Sequence, residues 1–517
     1  MVLGEGTEAY ASDGRQNDQP TGRPKGGALS ERLTISTIRD QIVGVETLVP
    51  LFDGTHSPCI NFDNASTTPA LKPVLDKLNE FMQWYASVGR GAGIKSRLST
   101  KTLEEVRELV YRFVGADPKR HTVIFGKNAT EVINQLARRI PFRSGDIVIS
   151  TAMEHHSNDL PWRAVAQVKC VEVDERGVLD LGHLAHLLNR HANAVRLVAV
   201  TGASNVTGVV NPIHDIAEMA HSVGAKLCVD AAQLAPHRSI RMDDVAVERS
   251  IDYLAFSAHK MYAPFGIGVL VGLTDLFQEG VPDHVGGGQV DLVTRDHILW
   301  SAPPAREEAG TPNIVGAVAL GKTILCLQDV GLQPIAAHEA GLTQHLLGRL
   351  SRIERIAVYG DTEADRSADR LGVVPFSIEG VPHELVAAIL DGEAGIGVRD
   401  GLFCAHPYVL RLLNESADTV ARLSQELGKG VPVHMPGLTR VSFGMYNTRA
   451  EVDVLVEVLE GISRGRYEGQ YTQDARTGRF VREGLSLRSN KELFSLGADF
   501  PKLRHEQYDS SHPRIRR

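Results

Sequence analysis

From about residue 61 to residue 325 the chain alternates short apolar strands with amphipathic helices, and this alternation is the strongest constraint on its fold. A helix between consecutive strands imposes a crossover, so the pattern predicts an α/β unit built on a mostly parallel sheet. The candidate strands are residues 122–125, 146–150, 197–201, 226–229, 253–256 and 268–271. In such sheets ligands collect outside the carboxyl ends of the strands. Gly126, Glu154, Asn205, Asp230 and Lys260 lie at or just beyond those ends, which predicts one shared pocket.

A second alternation follows the helix ending near Asp329, with strands near residues 356–359, 373–378 and 438–443. It reads as a smaller α+β domain. The expected division is a disordered leader over residues 1–30, a segment over 31–60 that packs on the small domain, a large domain over 61–329, a small domain over 330–464 and a basic extension over 465–517. The leader is rich in Gly, Asp, Gln and Pro and lacks the apolar core of a signal peptide. No apolar run is long enough to span a bilayer.

Composition, 43% hydrophobic and 23% charged over 517 residues, suits a globular protein with ample core. Five cysteines without Cys-x-x-Cys spacing indicate neither a disulfide framework nor a zinc ribbon, so a reducing cytoplasm is expected. The net charge of -8 is uneven: the stretch from Ser463 to Arg517 carries +5, leaving -13 for the rest. A solvated tail explains that asymmetry more simply than an acidic partner, and nothing in it resembles a nucleic-acid module.

Chemistry concentrates around Lys260, in FSAHKMYAPFGIG (residues 256–268). An amine that follows an apolar strand and stands beside Ser257 and His259 is suited to a Schiff base with pyridoxal phosphate. Asp230, which ends another apolar strand, can hold a pyridinium nitrogen protonated and so keep the ring an electron sink. GKNATE (residues 126–131) follows a strand and opens a helix over about 132–140, so the backbone amides around Ala129 and the Thr130 hydroxyl suit a phosphate. Ser257 and His259 suit it too. His155, just after a strand, can lie flat on an aromatic cofactor and move protons. Neither it nor His156 has further ligands at metal spacing, so no metal is expected. Asn205 or Gln233 can bond the cofactor's phenolic oxygen, or either can be plain turn chemistry.

GAVALGKT (residues 316–323) matches the Walker A spacing, but its apolar residues recur at helical intervals where a P-loop needs a glycine-rich turn. It is expected to be a buried helix. Gly266-Ile-Gly268 likewise lacks the third glycine and following helix of a dinucleotide fingerprint. GIGVRDGLFCAHP (residues 395–407) places Arg399 and Cys404 in what reads as a glycine-rich loop, where a thiol can be mobile and accessible. Cys170, Cys228 and Cys326 read instead as small buried hydrophobes.

The ordered stretches MEHHSNDLPW, SNVTGVVNP, VDAAQ, FSAHKMYAPFGIG, EAGTPN, GIGVRDGLFCAHP and TRVSFGMYNT resemble those of class V aminotransferases, fold-type I pyridoxal phosphate enzymes, and within them the cysteine desulfurase and selenocysteine lyase group. The resemblance runs from about residue 61 to residue 462. It implies that Lys260 carries the cofactor, His155 stacks on its ring, Asp230 pairs with the pyridinium and Gln233 approaches the phenolic oxygen. Thr130, Ser257 and His259 would bind phosphate, with Thr311 reaching a phosphate across a homodimer interface. A glycine-rich segment over residues 286–289 resembles a hairpin that crosses that interface. Arg440 would clamp the substrate carboxylate, with Arg399 and Asn205 on the substrate side, and Cys404 matches the sulfur-accepting nucleophile.

Two stretches depart from the family's pattern. SVGRGAG (residues 87–93) lacks the usual histidines around its Arg-Gly pair, and Leu402-Phe403 replaces polar residues before the cysteine. The expected activity is conversion of L-cysteine to L-alanine with a persulfide on Cys404, passed on to an acceptor protein. The alternatives on the same scaffold are a C–S lyase, a selenocysteine lyase, an epimerase or an aminotransferase, and a catalytically idle scaffold is a third class.

Overall fold

Seven strands form the main sheet of the computed structural model: β1 (His121–Gly126), β2 (Ile147–Thr151), β3 (Gln167–Val171), β4 (Val195–Thr201), β5 (Lys226–Asp230), β6 (Tyr253–Ser257) and β7 (Gly268–Leu273). Their order is β1-β7-β6-β5-β4-β2-β3, and every pairing is parallel except the two made by β7. The structure describes residues 32–482 and 493–494, apart from residues 90, 431–432, 475–477 and 479. The expected leader, Arg90 of the SVGRGAG stretch and most of the basic extension lie outside the described residues.

The central strands are rich in Val, Ile, Leu and Ala and are buried except at Arg196 and Lys226, as a sheet covered on both faces requires. Strand β3, absent from the expected set, lies at the edge and exposes Gln167 and Cys170. Cys170 is therefore exposed rather than a core hydrophobe, whereas Cys228 and Cys326 are buried.

Helix α1 (Ile94–Val114) ends at Gly115, whose φ of 60° is the left-handed conformation of a helix C-cap. Helix α2 (Ala129–Arg139) begins three residues before the expected position, because the Asn128 side chain caps it by accepting from the Glu131 amide at 3.0 Å. Helix α3 (Ile314–Val330) is buried on almost every side and contains residues 316–323, so the Walker-like spacing belongs to a core helix. Helix α4 (Leu332–Leu350) follows it directly. Among the described residues no single helix is long and apolar enough to cross a membrane.

A second sheet is antiparallel, with β8 (Ile356–Val358), β9 (Val373–Ile378), β10 (Arg399–Gly401) and β11 (Leu438–Ser442) in the order β8-β9-β11-β10. Its core joins Phe376 and Val441 to Leu346 of α4 and to Leu455 of α5 (Arg449–Ser463). Helix α5 starts with a Thr448–Glu451 capping box. The segment before Asn61 is divided between the two cores: Ile38 and Ile42 join the cluster that contains Leu71 and α3, while Ile60 joins the cluster on the second sheet. Beyond α5, Glu393 anchors the chain by accepting from the amides of Glu468 and Gly469, both at 3.0 Å, and from the Tyr471 hydroxyl.

Candidate active site

The ends of β2, β4, β5 and β6 and the start of α2 open onto one cavity of about 210 Å³. Ala129 and Thr130 come from the helix start, His155 follows β2, Asn205 follows β4, Asp230 ends β5 with Gln233 beyond it, and Ser257 ends β6 with His259 and Lys260 just after it. The second sheet and its following turn supply Arg399, Cys404 and Arg440. Every residue given a catalytic, cofactor or substrate role by the sequence lines this cavity except Thr311, which is exposed and outside it.

Two of the five strand-end residues expected in the pocket do not line it. Gly126 ends β1, and the cavity is lined in this stretch only from Asn128 onward, since α2 opens at Ala129. Glu154 turns into the protein, where it accepts from Thr151 Oγ1 at 2.6 Å, the Thr201 amide at 2.9 Å and Asn158 Nδ2 at 2.7 Å. Burial pushes its pKa up to about 8.

The helix end of the cavity is tightly bonded. Ser257 Oγ accepts from the Ala129 amide at 2.7 Å, and Thr130 Oγ1 lies 2.6 Å from Ser157 Oγ. Gly268, opposite Ser257 in the ladder, passes so close that a Cβ there would overlap the backbone of Asn128. The second glycine of Gly266-Ile-Gly268 thus has a packing reason rather than a nucleotide one.

Lys260 Nζ forms no hydrogen bond or ion pair with another described residue, and desolvation lowers its pKa against the opposing charge of Asp230. Asp230 takes one hydrogen bond on Oδ1, from the Ala232 amide at 2.9 Å, and burial raises its pKa. Burial, then the charges of Lys260, His156 and Arg440, push His155 down to about 3, so its imidazole is neutral. His259 is pushed down to about 4 by burial and by Lys260.

The state of His155 has a stability consequence. Between its ordinary value of 6.5 and about 3 the unfolded chain binds a proton that the folded chain refuses, so this residue's contribution is lost as pH falls through that window. His155→Gln removes that component. Urea unfolding at pH 7 and pH 5 is expected to show a smaller loss of stability on acidification in the variant than in the parent, and equal losses would contradict a neutral His155.

Arg440, on β11 and 2% exposed, donates to the Asn205 carbonyl at 2.8 Å and to Asp63 Oδ1 and Ser66 Oγ, each at 3.0 Å. Its buried Nε has no hydrogen-bond partner among the described residues. Arg399 Nη1 stands 3.7 Å from the other oxygen of Asp63. Asp63, Ser66 and Ser157 escaped the sequence reading, because each meets its partner only through the fold.

The stretch over residues 395–407 is more structured than a glycine-rich loop. Ile396–Gly397 pairs in parallel with Ile60–Asn61, and Arg399–Gly401 forms β10, which leaves Cys404 in the short turn that follows. Cys404 is exposed.

Residues 60–455 match the family model Aminotransferase class-V. The chain belongs to this family. A cysteine desulfurase of Haloferax volcanii is 33% identical over 417 residues, covering 79% of this chain and 90% of the relative. A probable cysteine desulfurase of Halalkalibacterium halodurans is 35% identical over 428 residues, covering 80% of this chain and 96% of the relative. Among solved structures, the apo cysteine desulfurase of Thermococcus onnurineus NA1 matches with a TM-score of 0.69 and 32% identity, covering 79% of this chain and 95% of that one. The class V fold-type I architecture expected from the motifs is the architecture observed.

Proposed function

We propose that the protein is a pyridoxal phosphate-dependent cysteine desulfurase that releases L-alanine from L-cysteine and takes the sulfur as a persulfide on Cys404. One observation carries this reading: an unpaired lysine amine, a buried carboxylate and an exposed thiol meet in one cavity in the persons of Lys260, Asp230 and Cys404. The two cysteine desulfurase relatives described above match over 79% and 80% of the chain.

The residues fit the cofactor. Among the described residues Lys260 Nζ has no hydrogen-bond or ion-pair partner and Asp230 Oδ2 no hydrogen bond, and the capped start of α2 offers Thr130 beside Ser257 and His259. Bound there, pyridoxal phosphate supplies an electron sink for the substrate's Cα. Asp230 would face the ring nitrogen, Gln233 the phenolic oxygen, and Thr130, Ser257 and His259 the phosphate. Lys260, with its proton affinity lowered, takes the Cα proton. Arg440, whose Nε lacks a hydrogen-bond partner among the described residues, and Arg399 orient the substrate carboxylate. Cys404 then attacks the substrate sulfur: an S–S bond forms as the Cβ–S bond breaks, and the electron pair left on carbon is protonated to give alanine. Exposure of Cys404 leaves the persulfide open to an acceptor protein.

The reading is tested by incubating the cofactor-loaded protein with L-cysteine and a reductant. Alanine and sulfide in equal amounts support it, whereas pyruvate, a racemised amino acid or no product would replace it with a lyase, an epimerase or an idle scaffold. Gly268→Ala, which pushes on the Asn128 backbone, is expected to weaken cofactor retention by at least about tenfold, read by dialysis and absorbance. A homodimer is also part of the proposal. Thr311 is exposed outside its own chain's cavity, and the hairpin Val290–Val293 with Ile298–Trp300 leaves Leu292, Val293, Ile298 and Leu299 more than half exposed. Sedimentation is expected to give a dimer, and a fully active monomer would overturn that part.

A further inference from the structure

The turn that carries Cys404 is built against its backbone preferences. Phe403 and Cys404 both have left-handed backbones, with φ of 51° and 54°. That conformation is disfavoured for any residue with a Cβ and seldom occurs twice in succession. Contacts from other segments hold it in place. The Ala405 amide donates to the Leu402 carbonyl at 2.9 Å, Asn205 Nδ2 donates to the Phe403 carbonyl at 2.9 Å, and the His156 amide donates to the Cys404 carbonyl at 2.7 Å. Two of these three donors belong to segments that also build the cavity, since Asn205 follows β4 and His156 is the neighbour of His155.

Asn205 has a second bond. Its main-chain carbonyl accepts from Arg440 Nη1 at 2.8 Å. The Phe403 ring closes the circuit, with its centroid 4.9 Å from the guanidinium carbon of Arg440 and only 7% of the residue exposed. One residue therefore touches both the turn of the thiol and the arginine.

We propose that Asn205 is a positioning residue for Cys404: its side-chain amide holds the left-handed turn while its carbonyl holds Arg440, so that Asn205 sets the separation between thiol and guanidinium. The role assigned to Cys404 rests on the desulfurase reading, whereas the placement rests on the geometry alone. A substrate whose carboxylate sits on Arg440 presents its sulfur at a fixed reach, and sulfur transfer then depends on where the turn holds the thiol. The amide hydrogen that meets Phe403 is withdrawn from any bound ligand, which leaves the second hydrogen of the same amide for a phenolic oxygen or a substrate.

The test uses the cofactor-loaded enzyme and two variants, Asn205→Asp, which keeps the shape but replaces the donor by an acceptor, and Asn205→Ala. Three rates are measured: alkylation of Cys404 by iodoacetamide, mapped by mass spectrometry; solvent-deuterium exchange at Cα of L-alanine, which does not use the thiol; and alanine release from L-cysteine. In both variants the alkylation rate is expected to change at least about fivefold, and alanine release to fall at least about tenfold more than Cα exchange, on the scale of one lost hydrogen bond at a geometry-sensitive step. Alkylation within about twofold of the parent, or exchange and release falling in step, would overturn the proposal by placing Asn205 on the ligand rather than on the thiol. A parent enzyme that released no alanine from L-cysteine would sink the desulfurase reading instead, and the alkylation rates would still uphold or overturn the placement.

Discussion

Lys260→Ala is expected to lower turnover of L-cysteine by about 10⁴-fold, because the variant loses both the covalent attachment point and the base that takes the Cα proton. No other described lysine lines the cavity. Borohydride treatment of the parent should fix the cofactor to the chain at Lys260, located by mass spectrometry, and the variant should lose its cofactor on dialysis after the same treatment. The amine suits the role because burial favours its neutral form while Asp230 limits the shift. A reduced adduct mapped to another lysine would remove Lys260 from the centre of the mechanism.

Cys404→Ser is expected to keep the cofactor and to lower alanine release from L-cysteine by at least about 100-fold, with no persulfide on the protein, since a serine hydroxyl is a far weaker nucleophile toward sulfur than a thiolate. Cys59 is the natural competitor to test. Its thiol is pushed up by burial and by the nearby charges of Asp391 and Glu451, which suppresses the reactive form. Cys170, though exposed, lies on edge strand β3 and outside the cavity. Equal turnover of parent and variant, or a persulfide found on Cys59, would exclude Cys404 and favour the lyase or epimerase alternatives.

Legibility in the sequence followed locality. Strands β2, β4, β5 and β6 are predominantly apolar despite Arg196 and Lys226, and the residues at their ends are legible because a parallel sheet delivers those ends to one edge. Edge strand β3 was missed because only one of its faces is apolar and its five residues include Gln167 and Lys169. Strand β10 was missed because three residues, one of them glycine, carry no period. Asp63 and Ser66 reach Arg440 across 377 and 374 residues of chain, and no local pattern announces such a contact. The turn at Cys404 was read as mobile from its glycines, yet its left-handed residues are Phe403 and Cys404, held by donors that only the fold brings near. The spacing over residues 316–323 shows the converse: a complete motif carries no function when the helical period around it places it in the core.

The antiparallel placement of β7 has a consequence for how such an enzyme can change. Ser257 and Gly268 face each other across the ladder, and the Ala258 amide reaches the Ile267 carbonyl at 3.0 Å, so the segment bearing Lys260 is closed at its base. The His259 carbonyl is further tied by the Thr68 amide at 3.0 Å, and the Tyr262 amide by Thr68 Oγ1 at 2.6 Å. The lysine is thus mounted on the sheet as on a rigid post. Substitutions in the second sheet and its turn, which supply Arg399, Phe403, Cys404 and Arg440 to the cavity, can reshape what surrounds the amine without touching these ties, so selectivity can drift through evolution while reactivity is inherited intact.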